Sequence, residues 1–410
     1  MRTFTLSALA TATAVALATG YPAATAAPGH DTGATSSGAY IVVLKDTAPA
    51  AAVAGEHGRA HGADVGHVYR NAMRGYSARM SATAAAKVAA DPRVDWIQRD
   101  GVVQTTAQEL PTGINRANGN ESSTKAGDGS GTVDVDVAVI DTGIDLDHPD
   151  LNVHTAGAKN CSSGRSADDG NGHGTHVAGT VGAIDNTTGV VGMAPGARLW
   201  PVRVLNNRGS GSWSDVICGI DYVAANADKI EVANMSLGGA GTDLGNCGNG
   251  QDAMHAAICN AVAQGVTFVV AAGNDAQDAA GFTPAAYDEV ITVSALADFN
   301  GLPVGGAAPT CRADVDDTFA NFSNYGADVD LIAPGVCINS TWKGGGYNTI
   351  SGTSMAAPHV AGAAALYLST RPGATPAQVR SALQSAGSTD WNNSDDPDGI
   401  KERLLDASAF

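Results

Sequence analysis

Basic residues are scarce in this 410-residue sequence, where 23 Lys and Arg stand against 41 Asp and Glu and give a formal net charge of −18. Proteins that bind nucleic acids gain affinity by placing Lys and Arg on phosphates, so this balance argues against a nucleic-acid partner. No segment beyond the N-terminus reaches the roughly 18 consecutive apolar residues of a membrane span. We therefore expect no nucleic-acid partner and no membrane anchor, and we expect a monomer.

The first residues have the pattern of an export signal. Arg2 supplies the positive charge, and residues 4–18 form an apolar, small-residue stretch that is too short to cross a bilayer. Residues 24–26 (ATA) then fit the small-x-small pattern that precedes signal-peptidase cleavage. We predict that residues 1–26 are a signal peptide and that the protein is secreted to the extracellular space.

Cysteine is absent from the first 160 residues, and no Cys-x-x-Cys pair of the kind that binds zinc occurs anywhere. An even number of cysteines in an exported protein indicates disulfides, and six cysteines allow about 15 pairings. The pairing that we take as a hypothesis is 161–218, 247–259 and 311–337.

Two modules with different patterns follow the signal. Residues 27–38 are rich in Gly, Ser and Ala and are predicted to be a linker. Strand and helix patterns then alternate as βαββαβ, which predicts a small ferredoxin-like α+β module at about residues 39–104. The strands are predicted at 40–44, 65–69, 75–80 and 94–97, and the helices around Glu56 and His57 and at 82–90.

Residues 107–410 are predicted to be one large α/β domain. Continuous apolar strands alternate here with helices, which indicates a mostly parallel sheet covered on both faces. The last predicted helix is apolar around its whole circumference and should be buried. Strands are predicted at 135–140, 199–204, 232–235 and 266–271, and helices at 176–184, 213–226, 252–264 and 355–369.

Two segments of this domain bring an Asp and a His to the ends of regular elements. Residues 137–143 (VAVIDTG) are a buried strand that ends at Asp141, the place where an open α/β sheet puts its site. In residues 171–180 (NGHGTHVAGT), His173 stands between glycines where a helix begins. A His there can take and return a proton near neutral pH. A metal pair is the alternative, but the Glu of the His-Glu-x-x-His zinc motif is missing.

A serine and an asparagine complete the set. Residues 352–358 (GTSMAAP) place Ser354 at the start of the buried helix, where it is either a helix cap or a nucleophile. Residues 269–274 (VVAAGN) are a strand that ends in the amide of Asn274. A serine hydroxyl becomes a good nucleophile only when a base removes its proton, and a carboxylate orients that base. The negatively charged oxygen that forms on the substrate needs a hydrogen-bond donor. Together these residues therefore indicate nucleophilic acyl transfer.

Two other classes of protein fit this sequence less well. A lipase or esterase of the α/β-hydrolase type needs Gly-x-Ser-x-Gly and the chain order Ser, Asp, His, and this sequence has neither. A non-catalytic binding or chaperone-like relative would keep the fold and lose one of the catalytic groups. Because all four groups are present, we expect an enzyme.

These motifs closely resemble those of the subtilisin and proteinase K family over about residues 107–385. The resemblance implies a subtilisin-like three-layer fold and a serine endopeptidase that works through an acyl-enzyme. It implies Asp141 as the orienting carboxylate, His173 as the general base and acid, and Ser354 as the nucleophile. Asn274 and the Ser354 backbone N–H then resemble the oxyanion hole.

The resemblance extends to the N-terminal module, which is similar to the family's inhibitory propeptide. It implies that residues 27–106 assist folding, inhibit the enzyme and are then removed. Residues 107–113 (AQELPTG) look like the family's mature N-terminus, which places the cut near Thr106–Ala107.

The resemblance also implies how protein and peptide substrates are bound. Residues 236–239 (SLGG) resemble the strand that pairs with the substrate backbone, and we expect broad specificity with apolar or aromatic residues preferred before the cut. The residues expected to bind substrate are Ser236, Leu237, Gly238, Ala271, Ala272 and Gly273.

A structural calcium ion (Ca²⁺) is implied by the loop at residues 183–190 (AIDNTTGV), which resembles subtilisin's tight calcium site. Composition alone favours an ordinary helix-ending turn here, although the loop's carbonyls suit calcium, and it is the family resemblance that favours the ion. A weaker second site is expected at Asp330 with the carbonyls of Ala285 and Val290. The residues expected to hold the first ion are Gln108, Asp150, Ile184, Asn186, Thr188 and Val190.

Overall fold

The computed structural model describes residues 37–100, 107–245, 247, 251–303 and 305–410. The chain divides into two compact units, the first containing residues 37–100 and the second the described residues from 107 onwards. The predicted signal peptide, nearly all of the linker, and Thr106 at the expected cut lie outside the described residues.

The first unit has the predicted βαββαβ order. Its sheet has the strand order β2-β3-β1-β4, and β1 pairs antiparallel with both β3 and β4. Both helices pack on the sheet through a small core that includes Val42, Val53, Tyr76 and Val88. The elements are β1 Ser37–Leu44, α1 Ala50–His61, β2 Asp64–Tyr69, β3 Gly75–Ser81, α2 Ala82–Ala89 and β4 Val94–Arg99.

The second unit is built on a nine-stranded sheet in which every pairing is parallel except that of one short strand. Its helices are α3 Thr112–Arg116, α4 His173–Gly182, α5 Trp213–Ala224, α6 Ala253–Ala263, α7 Thr353–Thr370 and α8 Pro376–Ala386. Its strands are β5 Asp136–Asp141, β6 Lys159–Asn160, β7 Arg198–Arg203, β8 Ile230–Met235, β9 Gly239–Ala240, β10 Thr267–Ala271, β11 Phe282–Thr283, β12 Ile291–Ala297, β13 Thr318–Phe319, β14 Leu331–Pro334, β15 Ile338–Trp342, β16 Gly346–Ile350 and β17 Arg403–Leu404.

Helices cover both faces of this sheet, which runs in the order β17-β14-β12-β10-β8-β5-β7-β6. One hydrophobic core joins one sheet face to α4, α7 and α8, and a second joins the other face to α5 and α6. Strands β5, β10 and β12 are buried along their whole length, because side chains on both faces meet helices. The predicted three-layer α/β fold is therefore confirmed.

Helix α7 runs through the core of the second unit. Small side chains such as Ala357, Ala361 and Ala364 are fully buried and let the neighbouring elements approach closely. Pro358 lies inside the helix, so the carbonyl of Ser354, four residues earlier, has no intrahelical N–H partner; it accepts the Ser236 hydroxyl at 2.8 Å instead. The prediction of a helix buried on all sides is confirmed.

Three disulfides join Cys161 to Cys218, Cys247 to Cys259 and Cys311 to Cys337. This is the pairing taken as the hypothesis from the sequence. Among the described residues, no helix combines the length and the apolar character needed to cross a membrane.

Candidate active site

Asp141 is the last residue of β5, at the carboxyl end of the sheet. The strand is buried from end to end, and the Asp141 side chain has no exposed area. Its Oδ1 accepts a hydrogen bond from the backbone N–H of Thr142 at 2.6 Å. A buried carboxylate needs such donors, and they fix its orientation.

His173 is the first residue of α4, and it faces this carboxylate. Its Nδ1 lies 2.8 Å from Asp141 Oδ1 and 3.0 Å from Oδ2. Because a carboxylate can only accept, the Nδ1 atom of the neutral ring carries the proton and Nε2 is left as the acceptor. The ring remains 26% exposed, so Nε2 can be reached from outside.

Two glycines beside His173 allow the helix to start this close to the strand. A Cβ on Gly174 would lie 2.1 Å from the Gly143 carbonyl, a separation that backbone atoms cannot relieve. Gly172 has a φ of 117°, and a Cβ there would lie 2.3 Å from the ring of Trp342.

Asp169 holds the start of α4 and was not found from the sequence. It is 5% exposed. Its Oδ1 accepts hydrogen bonds from the Thr142 hydroxyl and the Gly172 N–H, each at 2.9 Å. Its Oδ2 accepts from the N–H and hydroxyl of Thr175 at 3.0 and 2.6 Å. An Asp shortly before a helix N-terminus is the signal that could have identified it.

The electrostatics of the site favour the protonated imidazole. Burial lowers the pKa of His173, but the charge and hydrogen bond of Asp141, together with the charge of Asp169, raise it. The net pKa of His173 lies above its ordinary value of 6.5. Proton uptake by this ring is therefore easier than in a free histidine.

Ser354 follows the N-terminal residue of α7 and is half-buried. Its hydroxyl donates to the Ser236 carbonyl at 3.3 Å, and among the described residues no hydrogen bond joins it to His173. Ser236 in turn donates from its own hydroxyl to the Ser354 carbonyl at 2.8 Å. The serine therefore stands at a helix N-terminus, where backbone N–H groups are free.

Asn274 is exposed and presents an amide donor close to this helix start. Its Oδ1 accepts from the N–H and the hydroxyl of Thr353 at 2.8 and 3.0 Å. A backbone N–H can only donate, so the atom facing Thr353 must be the oxygen of the amide. The Nδ2 group is consequently the part of the side chain left for a ligand.

A cleft of about 580 Å³ opens beside His173. Ser236, Leu237 and Gly238, which the sequence predicts to bind substrate, form part of one wall. Sequence reasoning missed residues 209–213 and Val216, which also line the cleft; Trp213 is 43% exposed there. An exposed aromatic residue at a helix start is the signal that could have indicated them.

Ala271, Ala272 and Gly273 are placed differently from the residues above. Ala271 and Ala272 are 3% and 0% exposed, and in the described part of the chain none of the three lines the cleft. The Ala272 carbonyl accepts from Asn324 Nδ2 at 2.9 Å. Their observed position is behind Asn274, where they fix the end of β10.

The predicted calcium ligands come together around one loop. The carbonyls of Ile184 and Val190 converge on a single atom, Gln108 Nε2, at 2.7 and 3.0 Å. Asn186 Nδ2 donates to Asp150 Oδ1 at 2.8 Å, and Thr188 N–H donates to Asn186 Oδ1 at 2.6 Å.

This set fits a calcium ion chemically. The amide hydrogens of Gln108 and Asn186 point at the oxygens that a cation would bind, and their amide oxygens accept the backbone N–H groups of Asn186 and Thr188. Both side chains would have to move for their own oxygens to bind an ion. Burial raises the pKa of Asp150, so its carboxylate lies where a positive charge would be favourable. The atoms that would coordinate the ion are all oxygen atoms, which calcium prefers as ligands.

The second calcium site expected at Asp330 is occupied by an arginine. Arg380 Nη2 donates to the Val290 carbonyl, and Arg380 Nε lies 3.7 Å from Asp330 Oδ1. The Ala285 carbonyl accepts from the Thr292 hydroxyl at 2.7 Å. The guanidinium supplies the positive charge, so the structure argues against this second ion.

One group of possible metal ligands found within the described residues consists of Cys247, His255, Cys259 and Glu289. The two cysteines form a disulfide, and His255 Nε2 lies 2.5 Å from Glu289 Oε2. The expectation that the cysteines serve disulfides rather than zinc agrees with this arrangement.

The sheet with helices on both faces therefore carries a buried Asp–His pair and a serine at a helix N-terminus. The chain belongs to the Subtilase family, which matches residues 132–400. Residues 39–106 match Peptidase inhibitor I9. The protein is therefore a subtilisin-like serine protease with an inhibitor module of the propeptide type.

Its relatives include a proteinase whose name describes it as extracellular. The chain is 42% identical to an "Extracellular serine proteinase" of Thermus sp. (strain Rt41A) over 334 residues, 78% of this chain and 73% of the relative. It is 39% identical to "Subtilisin NAT" of Bacillus subtilis subsp. natto over 312 residues, 75% and 74% of the two chains. The solved structure of "a cold adapted subtilisin-like serine proteinase" is 35% identical, with a TM-score of 0.57, and the match covers 73% of this chain and 98% of that one.

Proposed function

We propose that this protein is the precursor of a secreted endopeptidase in which Asp141, His173 and Ser354 cleave peptide bonds. The observation that carries the proposal is the buried Asp141–His173 pair at 2.8 Å, beside a cleft walled by Ser236. Ser236 is also the residue whose carbonyl receives the Ser354 hydroxyl.

The first step transfers the Ser354 proton to His173 Nε2 while Oγ attacks the substrate carbonyl carbon. The hydroxyl must turn from the Ser236 carbonyl to His173, a rotation about one side-chain bond. Hydrogen bonds of this kind are often absent in a free enzyme and form with substrate. The charged imidazole is stabilised by Asp141, which stays ionised.

The tetrahedral oxyanion is held by Asn274 Nδ2 and the Ser354 backbone N–H. His173 then gives its proton to the leaving amine, which produces an acyl-enzyme on Ser354 Oγ. A water molecule deprotonated by the same ring releases the acid product and restores the serine. Donors fixed before the reaction stabilise the new charge without reorganising.

The cleft supports a broad specificity with a preference for apolar or aromatic residues before the cut. Leu237, Leu205, Trp213 and Val216 give it apolar surface, and Gly238 leaves its backbone open for pairing with an extended peptide. Ala271, Ala272 and Gly273 would contribute by fixing Asn274.

We further propose that residues 1–26 direct export and that residues 27–106 inhibit the protease until they are removed near Thr106–Ala107. The extracellular relative and the match to Peptidase inhibitor I9 support this. Gln108, Asp150 and Asn186, with the carbonyls of Ile184, Thr188 and Val190, would hold a calcium ion. Its contribution is to fix the loop that follows α4.

The test compares the wild-type chain with Ser354→Ala, using casein and a peptide that has Phe before a chromogenic leaving group. We expect Ser354→Ala to fall to a residual of about 10³–10⁴-fold over the uncatalysed rate, the level left by binding and the oxyanion hole in such enzymes. Ser369→Ala, which changes an exposed serine on the same helix, is the control and should stay active. Wild-type casein cleavage by Ser354→Ala would refute the assignment, as would a phosphonate adduct mapped to another residue.

A further inference from the structure

A second cavity, of about 440 Å³, lies beside the cleft, and the proposed function does not use it. Its lining includes the side chains of Arg165, Arg203 and Arg208 together with Asn206 and Asn207. Within the described part of the chain no carboxylate lines it. Three positive charges around one space contrast with the rest of a chain whose formal net charge is −18. We call this space the arginine cavity.

Arg203 is the buried member of the three. It is 6% exposed, so its charge is largely removed from water. Its Nε donates to the Leu205 carbonyl at 3.2 Å, and its Nη1 donates to the carbonyls of Ser166 and Asp168 at 3.2 and 2.8 Å. Its Nη2 donates to Asn207 Oδ1 at 2.6 Å. These four acceptors are all neutral oxygens.

The charge of Arg203 therefore lacks a counter-charge among these hydrogen-bond partners. A guanidinium has five N–H groups and stays protonated in proteins, so it cannot become neutral as a buried carboxyl group can. Four of the five N–H groups are used by the bonds above, which leaves one on Nη2 for a ligand. A buried charge is unfavourable unless it is paired, so this side chain indicates an anion in the arginine cavity.

The surroundings leave this guanidinium open to a ligand. Gly164 has no side chain to cover it, whereas a Cβ there would lie 3.4 Å from Arg203 Cζ. The Gly164 carbonyl is held by Asn160 Nδ2 at 2.9 Å, which fixes this side of the cavity. Arg165 and Arg208 are exposed, so their guanidinium groups can turn towards the same ligand.

A single turn connects the arginine cavity with the cleft. Asn206 N–H donates to the Ser210 carbonyl at 2.9 Å, and Gly209 N–H donates to the Asn206 carbonyl at 2.8 Å. Arg208 lies in this turn, where its N–H donates to Asn206 Oδ1 at 2.8 Å. It directly precedes Gly209 and Ser210, which line the cleft. A group bound in the cavity therefore lies next to a peptide in the cleft.

The same turn is joined to the segment that contains His173. Asn171 Nδ2 donates to the Asn207 carbonyl at 3.0 Å, and Asn171 Oδ1 accepts from the His173 N–H at 3.1 Å. The part of a peptide that passes the arginine cavity is consequently close to the bond that is cut.

We propose that the arginine cavity binds the carboxylate of an acidic residue of the peptide substrate, at the second, third or fourth position before the cut. The inference rests on the proposed function, because it needs a peptide in the cleft. Gly209 and Ser210 line the same cleft as Leu237 and Gly238, which the proposed function assigns to residues before the cut.

A carboxylate suits the cavity in shape and charge. The planar guanidinium fork binds a carboxylate through two parallel N–H groups, and such charged hydrogen bonds are among the strongest. The negative charge of the whole molecule repels acidic peptides, so a local group of arginines beside the cleft selects for them there.

The experiment measures kcat/KM for pairs of chromogenic peptides that have Phe before the leaving group. Within each pair, Glu or Gln occupies the second, third or fourth position before the cut. The enzyme is the mature form obtained from the full-length chain. We expect it to cleave one of the Glu peptides about fivefold more efficiently than the matching Gln peptide, the upper range for an exposed ion pair.

Variants assign this preference to the cavity. Arg208→Gln should lose the Glu-over-Gln ratio, and Arg165→Gln should reduce it. Arg371→Gln, at an exposed arginine that ends α7, is the matched control because it makes the same change of charge and should keep the ratio. A ratio that persists in both Arg208→Gln and Arg165→Gln would place the Glu side chain elsewhere and overturn the proposal.

The wild-type enzyme separates this inference from the proposed function. Equal kcat/KM for Glu and Gln at all three positions would overturn the inference and leave the protease assignment intact. Failure to cleave any of the peptides would refute both, because the inference needs the peptidase.

Salt tests whether charge is the cause. Arg165 and Arg208 are exposed, so their attraction for Glu should be screened in about 1 M NaCl, where the Debye length is ~3 Å. The Glu-over-Gln ratio should therefore fall. A ratio that is the same at low and high salt would mean that Glu is preferred for its shape, and would overturn the proposal.

A free anion is the other source of the same chemistry. Phosphate is titrated into the full-length Ser354→Ala chain by calorimetry, with and without Arg208→Gln. Phosphate binding that Arg208→Gln removes, combined with equal cleavage of the Glu and Gln peptides, would assign the cavity to a free anion and overturn the assignment to substrate. A Glu preference that phosphate abolishes, but NaCl of equal ionic strength does not, supports one shared site.

Discussion

His173 is the residue whose protonation state should control activity. The ring must be neutral to accept the Ser354 proton, and Asp141 and Asp169 raise its pKa above 6.5 despite its burial. The kcat/KM should therefore be low in acid and rise with pH to a plateau, with a midpoint above 6.5. Steady-state assays in buffers of constant ionic strength measure this midpoint, and a flat profile between about pH 5 and pH 8 would contradict the role of His173.

Asn274 should stabilise the transition state more than it strengthens the binding of substrate. Its Nδ2 is free because Oδ1 is held by Thr353, so Asn274→Ala removes one oxyanion donor. We expect kcat to fall about 10²–10³-fold with KM little changed, a magnitude measured in subtilisin itself. Asn260→Ala, an exposed change on α6, is the control. A rise in KM at constant kcat would instead mean that Asn274 binds the substrate in its ground state.

At the scale of elements, the loop at residues 183–190 should link calcium to stability. A ligand that binds only the folded state stabilises it by about 4.1 kcal/mol at a thousand times its Kd. Removing calcium should lower the Tm and speed self-digestion while the initial kcat stays the same. Asp150→Ala should reduce the calcium-dependent part of Tm, measured by calorimetry in the Ser354→Ala background. Asp134→Ala, which changes a side chain that is 97% exposed, should leave the calcium-dependent part of Tm unchanged. Equal melting temperatures of Asp150→Ala and its parent in calcium would contradict a calcium site at this loop.

The sequence predicts those helices and strands whose local residue pattern agrees with the way they pack in the fold. Helix α5 begins at Trp213 as predicted, because a capping box at Ser212 and Asp215 marks its start. Helix α4 begins at His173 rather than 176, because Thr142 Oγ1 and Asp169 Oδ2 accept hydrogen bonds from the N–H groups of Gly174 and Thr175 and so replace a cap by the N-cap residue's own side chain. Strands β14 and β17 were not predicted, since short apolar segments acquire strand character only through neighbours distant in sequence. Strand β12 was also not predicted, although it has 7 residues and is buried along its whole length.

The sequence can predict those site residues that belong to a local motif. Asp141, His173, Ser354 and Asn274 each follow an apolar strand or open a helix, and the sequence shows this directly. Asp169 lies outside such a motif and acts through hydrogen bonds to two segments, Thr142 after β5 and the start of α4 at Gly172 and Thr175. The position of Arg380 beside Asp330 depends on the packing of α8 against the sheet, so a ligand motif alone could not indicate it.

At the scale of the whole molecule, the proposed activity should control the maturation of its own chain. If the protease removes residues 27–106 itself, Ser354→Ala should accumulate as an uncut precursor, visible by electrophoresis and mass spectrometry. Adding a trace of wild-type enzyme should then cut it near Ala107. Spontaneous appearance of the mature N-terminus in purified Ser354→Ala would show that another agent performs this cut.

The disulfide between Cys161 and Cys218 ties the segment after β6 to α5, whose residues Trp213 and Val216 line the cleft. Asp141, His173 and Ser354 lie on other elements. Loss of this one bond would therefore change the discrimination among peptides more than the capacity to hydrolyse a peptide already bound. The choice of substrate, in this view, is sensitive to the oxidising character of the surroundings.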